Sequence, residues 1–317
     1  MVGDTSPWLA RFPVTLFTTV MGMSGMTLAL AEGERVLDLA HGMSTFSALI
    51  TVAIFGLVTV GYTLKTIRHT SAVKAEWNHP VSLAFFPAIS ISLLLLAAVA
   101  LPWSEPISRG IWITGAALQL VLTLAVISSW IGSRAFVHGH LTPAWFVPAV
   151  GNVIAPLAGA QLGYIEISWF FLSIGLLFWI VLLAMVINRL VFHDPLPERL
   201  QPTLVILIAP PAIGFLGWTS LNPGLDPMAR ILMNSALFFL IVVMVQLPTI
   251  LRLPFSLSFW ALSFPLAAAT TASLRFSTLS GSMFHLWLGL VLLVILTLTL
   301  LVLLYKTLKS LASGSAF

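Results

Sequence analysis

The sequence predicts an all-α polytopic membrane protein, ten transmembrane helices paired as five tandem helical hairpins. Three observations carry this. Apolar residues make up 59% of the 317 positions and charged residues 8%, against roughly 25% charged in an average soluble domain. Runs of about 20 apolar residues, the length that crosses a bilayer core, recur from end to end. Four runs hold a proline in nearly the same setting: Phe86-Pro87-Ala88-Ile89, Val147-Pro148-Ala149-Val150, Pro210-Pro211-Ala212-Ile213 and Phe264-Pro265-Leu266-Ala267. At 87, 148, 211 and 265 these prolines are 61, 63 and 54 residues apart, the length of two spanning helices and two short turns.

The elements follow in order as one transmembrane domain over 1–317. The span at 13–31 has no central proline but places Gly22 and Gly25 about where the repeat puts its breaker. The span at 44–67 has no internal proline, and 81–101 holds Pro87. Again 107–131 is uninterrupted, and 143–162 holds Pro148 and Pro156. The span at 165–191 is uninterrupted and 202–221 holds Pro210 and Pro211. Pro227 and Pro248 only flank 228–247, Pro265 lies inside 254–276, and 282–308 has none. Short connections make sequence neighbours antiparallel neighbours in space.

An even count puts both termini on one side. Arg11, Lys65, Arg68, Lys74, Arg134, Arg189, Arg199, Arg252, Lys306 and Lys309 fall with the termini, while Arg35, Arg109, Arg230 and Arg275 fall opposite. The basic excess marks the cytoplasmic side, so both ends are expected in the cytoplasm and the chain in a bacterial inner (plasma) membrane. Trp103, Trp130, Trp145, Trp169 and Trp218 sit near span ends as interface anchors. A rival reading takes Arg11 and the apolar run up to Ala29-Leu30-Ala31 as a cleavable signal peptide. Its apolar part exceeds the usual 7 to 15 or so residues; cleavage would leave nine spans and opposite termini.

A proline in a membrane helix removes a donor and frees a carbonyl that lipid cannot satisfy. The odd spans therefore belong inside, five kinked inner helices around a central pore, with the five even spans as outer helices. The candidates lining such a path are Gly22, Gly25, Pro87, Asn152, Pro156, Pro211, Pro265 and Thr271. Thr18, Thr19, Ser24, Ser90, Ser92, Gln161, Thr270 and Ser273 add uncharged polar groups. No ionisable residue falls in the middle of these spans, so the route is built for weak binding rather than proton coupling. Arg275 is the outer-mouth candidate. That arginine, the hydroxyl donors and broken half-helix dipoles favour an anion, whereas carbonyls freed near Ala261 and Asn152 would attract a cation.

Four words in order now carry a resemblance: Glu76-Trp77-Asn78-His79-Pro80-Val81, Val150-Gly151-Asn152, Ile208-Ala209-Pro210-Pro211 and Phe259-Trp260-Ala261-Leu262-Ser263-Phe264-Pro265. Over essentially its whole length the chain resembles the tellurite-resistance and dicarboxylate transporter family, which includes bacterial tellurite-resistance protein A and the plant slow anion channels. The resemblance implies five hairpins around a pore, assembly as a homotrimer, passage of small inorganic anions such as chloride and nitrate, and a phenylalanine gate at Phe264. Independently, Phe264 precedes Pro265, and a residue before proline is pushed from ideal helical geometry, which lets its ring project inward as a dewetting constriction. The long soluble tails of the plant relatives have no match here, which leaves control of the gate open.

Two other readings compete. A proton-coupled carrier of malate-like dicarboxylates belongs to the same family but would want titratable or cationic groups deep in the path, while export of sulfite or tellurium oxyanions fits either mechanism. An intramembrane enzyme could bind metal through His138-Gly139-His140 with His69, His79 or His193-Asp194, but no metalloprotease spacing is present. With no cysteine, thiolate sites and disulfides are excluded. The expectation is no enzyme, no cofactor, no metal and, at a net charge of +4 spread over the loops, no nucleic-acid partner. Membrane lipid and small anions are the expected partners. Glu76 to Pro80 reads as a short interfacial helix anchored by Trp77.

Overall fold

The computed structural model describes residues 8–132 and 136–312. Arg134 and the side chain of His138 lie outside the described part. Ten apolar segments follow one another: α1 (Val14–Val36), α2 (Gly42–Arg68), α3 (Ser82–Ala100), α4 (Glu105–Gly132), α5 (Pro143–Gly159), α6 (Ile165–Phe192), α7 (Glu198–Leu221), α8 (Pro227–Leu251), α9 (Leu257–Ser280) and α10 (Met283–Ser310). Among the described residues, nine are long and apolar enough to cross a bilayer, and α5 is not. The expected tenth span is shorter in residues than the others, and its winding changes along its length. Pro143–Trp145 and Gly151–Ile154 are 3-10 turns, Phe146–Val150 and Pro156–Gly159 single α turns.

Burial separates odd from even. Of an 18-residue stretch within each, 72% is buried in α1, 78% in α3, 78% in α7 and 67% in α9, against 28% to 39% in α2, α4, α6, α8 and α10. The odd segments close into a ring: α1 packs on α3, α3 on α5, α5 on α7, α7 on α9, and α9 back on α1. Each even helix covers its hairpin partner, and α6, α8 and α10 also reach α7, α9 and α1. Their outward faces carry exposed Phe46, Leu57, Leu124, Ile180, Phe238 and Val294, a surface matched to hydrocarbon.

The breakers act differently from mid-helix kinks. In α3, α7 and α9 the first part is 3-10 wound (Ser82–Phe85, Glu198–Ile208, Leu257–Leu262), and the α-helix proper starts at Ala88, Ala209 and Ser263. Pro87, Pro210, Pro211 and Pro265 therefore fall at the start of an α-helix, whose first four N–H groups lack helical partners in any case. Pro156 occupies the same kind of position in α5. In α1 the regular helix runs unbroken from Phe17 through Gly22 and Gly25 to Val36, and only Val14–Leu16 is 3-10. Those two glycines are contact points instead of breakers. A Cβ on Gly22 would lie 2.2 Å from Ser263 Oγ, and one on Gly25 2.7 Å from Ala267 Cβ. Without a hydrophobic force between helices in lipid, such close approach is what holds α1 to α9.

The interfacial helix read from Glu76 to Pro80 forms over Thr70–Asn78. Trp77 packs edge-on against Phe86, 4.8 Å between centroids. Glu76 turns inward, where its carboxylate accepts from the Val14 N–H (2.6 Å), the Tyr62 hydroxyl (3.1 Å) and the Lys65 ammonium (2.7 Å).

Candidate functional site

Two cavities lie along the axis, and all five odd segments contribute to the wall of each. The lower one, about 190 Å³, is bounded by the N-terminal parts of those segments, for example Thr18, Phe85, Val150, Thr203 and Trp260. The upper one, about 370 Å³, is bounded by their C-terminal parts, for example Gly25, Leu95, Leu157, Thr219 and Thr271. Only Ile213 and Phe264 belong to both walls among the described residues. Phe264 sits in the first turn of the α-helical part of α9, held there by the 3-10 turn before it and Pro265 after it. Its Cδ2 is 3.4 Å from where a Cβ on Gly25 would stand.

Of the residues singled out from sequence, the walls hold Gly25, Phe264, Pro265, Thr271 and Arg275, together with Thr18 and Gln161 from the added polar groups. Gly22, Pro87, Asn152, Pro156 and Pro211 are not among the wall residues of either cavity. Gly22 faces Ser263, as above, and Pro87 is buried where it starts the α-helix of α3. Asn152 points away from the axis to α4, its Nδ2 donating to Thr123 Oγ1 (3.1 Å) and the Ala149 carbonyl (2.6 Å). Pro156 and Pro211 are buried at helix starts. Of the hydroxyls expected as free donors, the two on the walls serve their own helices, Thr18 donating to the Thr15 carbonyl and Thr271 to Ala267, as do Thr203, to Leu200, and Thr219, to Phe215. Around Phe264 the wall is consequently apolar, with Met21, Ile91, Ile213 and Pro265. Ser24, on neither wall, has no hydrogen-bond partner among the described residues.

Charge gathers in the upper cavity, and part of it was not singled out from sequence. Glu32, Arg35 and His41 line it with Arg275. Arg35 donates from Nε (3.0 Å) and Nη2 (2.5 Å) to the Glu32 carboxylate and from Nη2 to Thr278 on α9 (3.2 Å). For Arg275 no hydrogen-bond or ion-pair partner occurs among the described residues. The upper wall therefore keeps an unpaired positive charge. A signal for Arg35 was present: Gly25, Leu28, Ala31 or Glu32, and Arg35 recur at helical spacing, as do Phe264, Ala267 or Ala268, Thr271 and Arg275.

Among the described residues the histidines form no metal-ligating cluster, and no group of three or more metal-ligating side chains occurs. His79 accepts from the Val81 and Ser82 N–H groups at 3.3 Å, and His285 pairs with Ser282 at 2.8 Å.

A ring of five inner segments, two axial cavities and an aromatic side chain between them define a helical membrane protein with cavities down its centre. The profile of the family described as voltage-dependent anion channel (SLAC1) matches residues 11–308, and the chain belongs to that family, one of channels and transporters rather than enzymes. It is similar to the S-type anion channel SLAH2 of Arabidopsis thaliana, 30% identical over 281 residues, 86% of this chain and 54% of the relative. The guard cell S-type anion channel SLAC1 of the same plant is 25% identical over 312 residues, 95% of this chain and 56% of the relative. The tellurite resistance protein TehA homolog of Haemophilus influenzae is 26% identical over 267 residues, covering 83% and 81%. The chain spans about half the length of these plant relatives.

Proposed function

We propose that this chain passes small inorganic anions, chloride- and nitrate-like, along the ring axis, with Phe264 as the gate. The observation that carries the reading is the shared wall: Phe264 and Ile213 alone, among the described residues, border both cavities. An anion entering the upper cavity meets the unpaired Arg275, keeps most of its water, and stops where the wall turns apolar. A ring filling that neck excludes water, and an ion does not cross a dry constriction. Displacement of the ring joins the two cavities. Weak binding follows from the lack of charge between Arg275 and the lower mouth.

Further parts of the reading rest on the same fold. We propose that α5 also crosses the membrane: the 3-10 turns in Pro143–Gly159 rise ~2.0 Å per residue and bring it to about 29 Å, close to the ~30 Å hydrocarbon core. Ten crossings put both termini on the cytoplasmic side, favoured by the basic excess there. The exposed apolar flanks of the even helices are available to lipid or to other subunits of a homotrimer, the state the resemblance implies. A dicarboxylate carrier is the second reading, favoured by the size of the upper cavity and its free guanidinium.

The test is current through purified protein in planar bilayers under reversed salt gradients. Phe264→Ala raises anion current about tenfold or more, since a residual barrier of ~1.4 kcal/mol already costs a factor of ten. An unchanged current in a folded variant refutes the gate. A cation reversal potential refutes the anion path. Saturating uptake of malate driven by a pH gradient, without ohmic current, favours the carrier.

A further inference from the structure

A buried amide on an outer helix takes no part in the path as described. Gln119 of α4 is fully buried and joins three segments. Its Oε1 accepts from the Ser90 hydroxyl of α3 at 2.6 Å, and its Nε2 donates to the Pro148 carbonyl of α5 at 3.1 Å and to Thr123 Oγ1 at 3.2 Å. Two more side chains reach the same carbonyl: the Thr123 hydroxyl at 2.9 Å and Asn152 Nδ2 at 3.4 Å. Three side-chain donors thus meet at one carbonyl just before the winding changes, the segment passing from α to 3-10 at Gly151. In surroundings without water, side chains must supply what the irregular backbone does not.

The anchored points sit directly behind the lower cavity. Val147 adjoins Pro148, Val150 and Gly151 follow it, Ile91 adjoins Ser90, and all four line that cavity. Segments α3 and α5 approach closely here, since a Cβ on Gly151 would lie 2.4 Å from Ile91 Cδ1 and 3.2 Å from Gln119 Nε2. A tie behind both Ser90 and Pro148 fixes how far Ile91 stands from Val150.

We infer that Gln119 is a positioning residue for permeation: from outside the ring it sets the bore of the lower cavity, and with it the size of anion that passes. This rests on the axial path proposed above. Gln119→Met keeps the side-chain length and removes every one of its hydrogen bonds, so the Pro148 carbonyl loses a donor and the Ser90 hydroxyl its Gln119 acceptor.

The experiment uses the full chain in planar bilayers with Phe264→Ala as background, so that the gate does not limit current, and reads the gluconate-to-chloride permeability ratio from reversal potentials. The expected result is a rise in that ratio of about threefold or more for Gln119→Met, the change expected when part of one hydrogen bond's free energy is lost from the barrier. A ratio equal to background, even with a lowered melting temperature, overturns the inference and leaves a merely structural role. If Gln119→Met does not fold, Thr123→Val removes one donor to the same carbonyl, and an unchanged ratio there is equally fatal. No current in the background variant removes the axial path itself and this inference with it, an outcome distinct from an unaltered ratio.

Discussion

The ring of Phe264 rests against bare backbone: its Cδ2 lies 3.4 Å from the place a Cβ on Gly25 would occupy. The glycine leaves no side chain on the side of the ring that faces α1, where the proposed displacement of the ring would otherwise meet one. Gly25→Ala fills that space and brings a methyl 2.7 Å from Ala267 Cβ, an overpacking that costs about 1–3 kcal/mol. The expected outcome is a several-fold lower current in planar bilayers. The double variant Gly25→Ala with Phe264→Ala is expected to conduct like Phe264→Ala alone. Equal inhibition in both backgrounds would assign the effect to α1–α9 packing.

Much of the architecture was legible because membrane solvent imposes simple rules. Prolines in 81–101, 143–162, 202–221 and 254–276 had to be shielded from lipid, which sorted four of the five inner segments; the fifth, 13–31, was placed by its position in the repeat. What the prolines do locally was not legible. Pro87 and Pro210 start α-helices after 3-10 turns, and helical periodicity alone does not reveal where winding changes. Gly22 and Gly25 look like breakers by position in the repeat, yet their use depends on Ser263 and Ala267, some 240 residues away. Asn152 looks like a pore donor because it is polar on an inner segment. Whether it faces the axis or α4 depends on the winding at Gly151–Ile154. Arg35 was readable from its helical spacing to Gly25, but its pairing with Glu32 hid its place in the cavity.

The Glu76 carboxylate gives a stability prediction. Lys65 and Glu76 are 3% and 11% exposed at their side chains, and Lys65 also donates to the Phe12 carbonyl at 2.8 Å. Removing one partner of a buried pair leaves a charge uncompensated, at a cost of about 3–5 kcal/mol, while replacing both with apolar residues is far milder. Glu76→Ala is expected to lower the apparent melting temperature in detergent strongly, Glu76→Gln less, and Lys65→Met with Glu76→Leu least. If the double substitution were as damaging as Glu76→Ala, the anchoring of Val14 would matter more than the charge.

Asp226 predicts a pH effect. It caps α8, its Oδ1 accepting from the Ala229 N–H at 2.8 Å and its Oδ2 from Trp218 Nε1 at 2.9 Å. The Ala229 N–H foremost, against the opposing effect of burial and with help from Trp218 and the Met228 N–H, holds its carboxyl below the ordinary carboxylate value. A depressed folded value means that the unfolded chain binds the proton more readily. The stabilisation is therefore full above the ordinary carboxylate range and is lost as pH falls through the folded value. Melting temperature followed across that acidic window should drop more in the parent than in Asp226→Asn, which keeps a capping oxygen without the charge. Parallel curves would remove Asp226 from the acid response.

Arg275 leaves the upper cavity wall with an unpaired positive charge, and such a charge raises the local anion concentration only over a screening length. That length is ~30 Å at 0.01 M salt and ~3 Å at 1 M. Arg275→Gln in the Phe264→Ala background should thus cut anion current about two- to tenfold at ~0.01 M salt and hardly at all at ~1 M. Arg275→Lys, which keeps the charge, should behave like the parent at both. Glu32→Gln works in the opposite sense: it frees Arg35 from its 2.5 Å partner, adds net positive charge to the same wall, and should raise the low-salt current. A loss that is the same at both salt concentrations would mean that Arg275 acts through shape or contact, because no field of a fixed charge survives such screening unchanged.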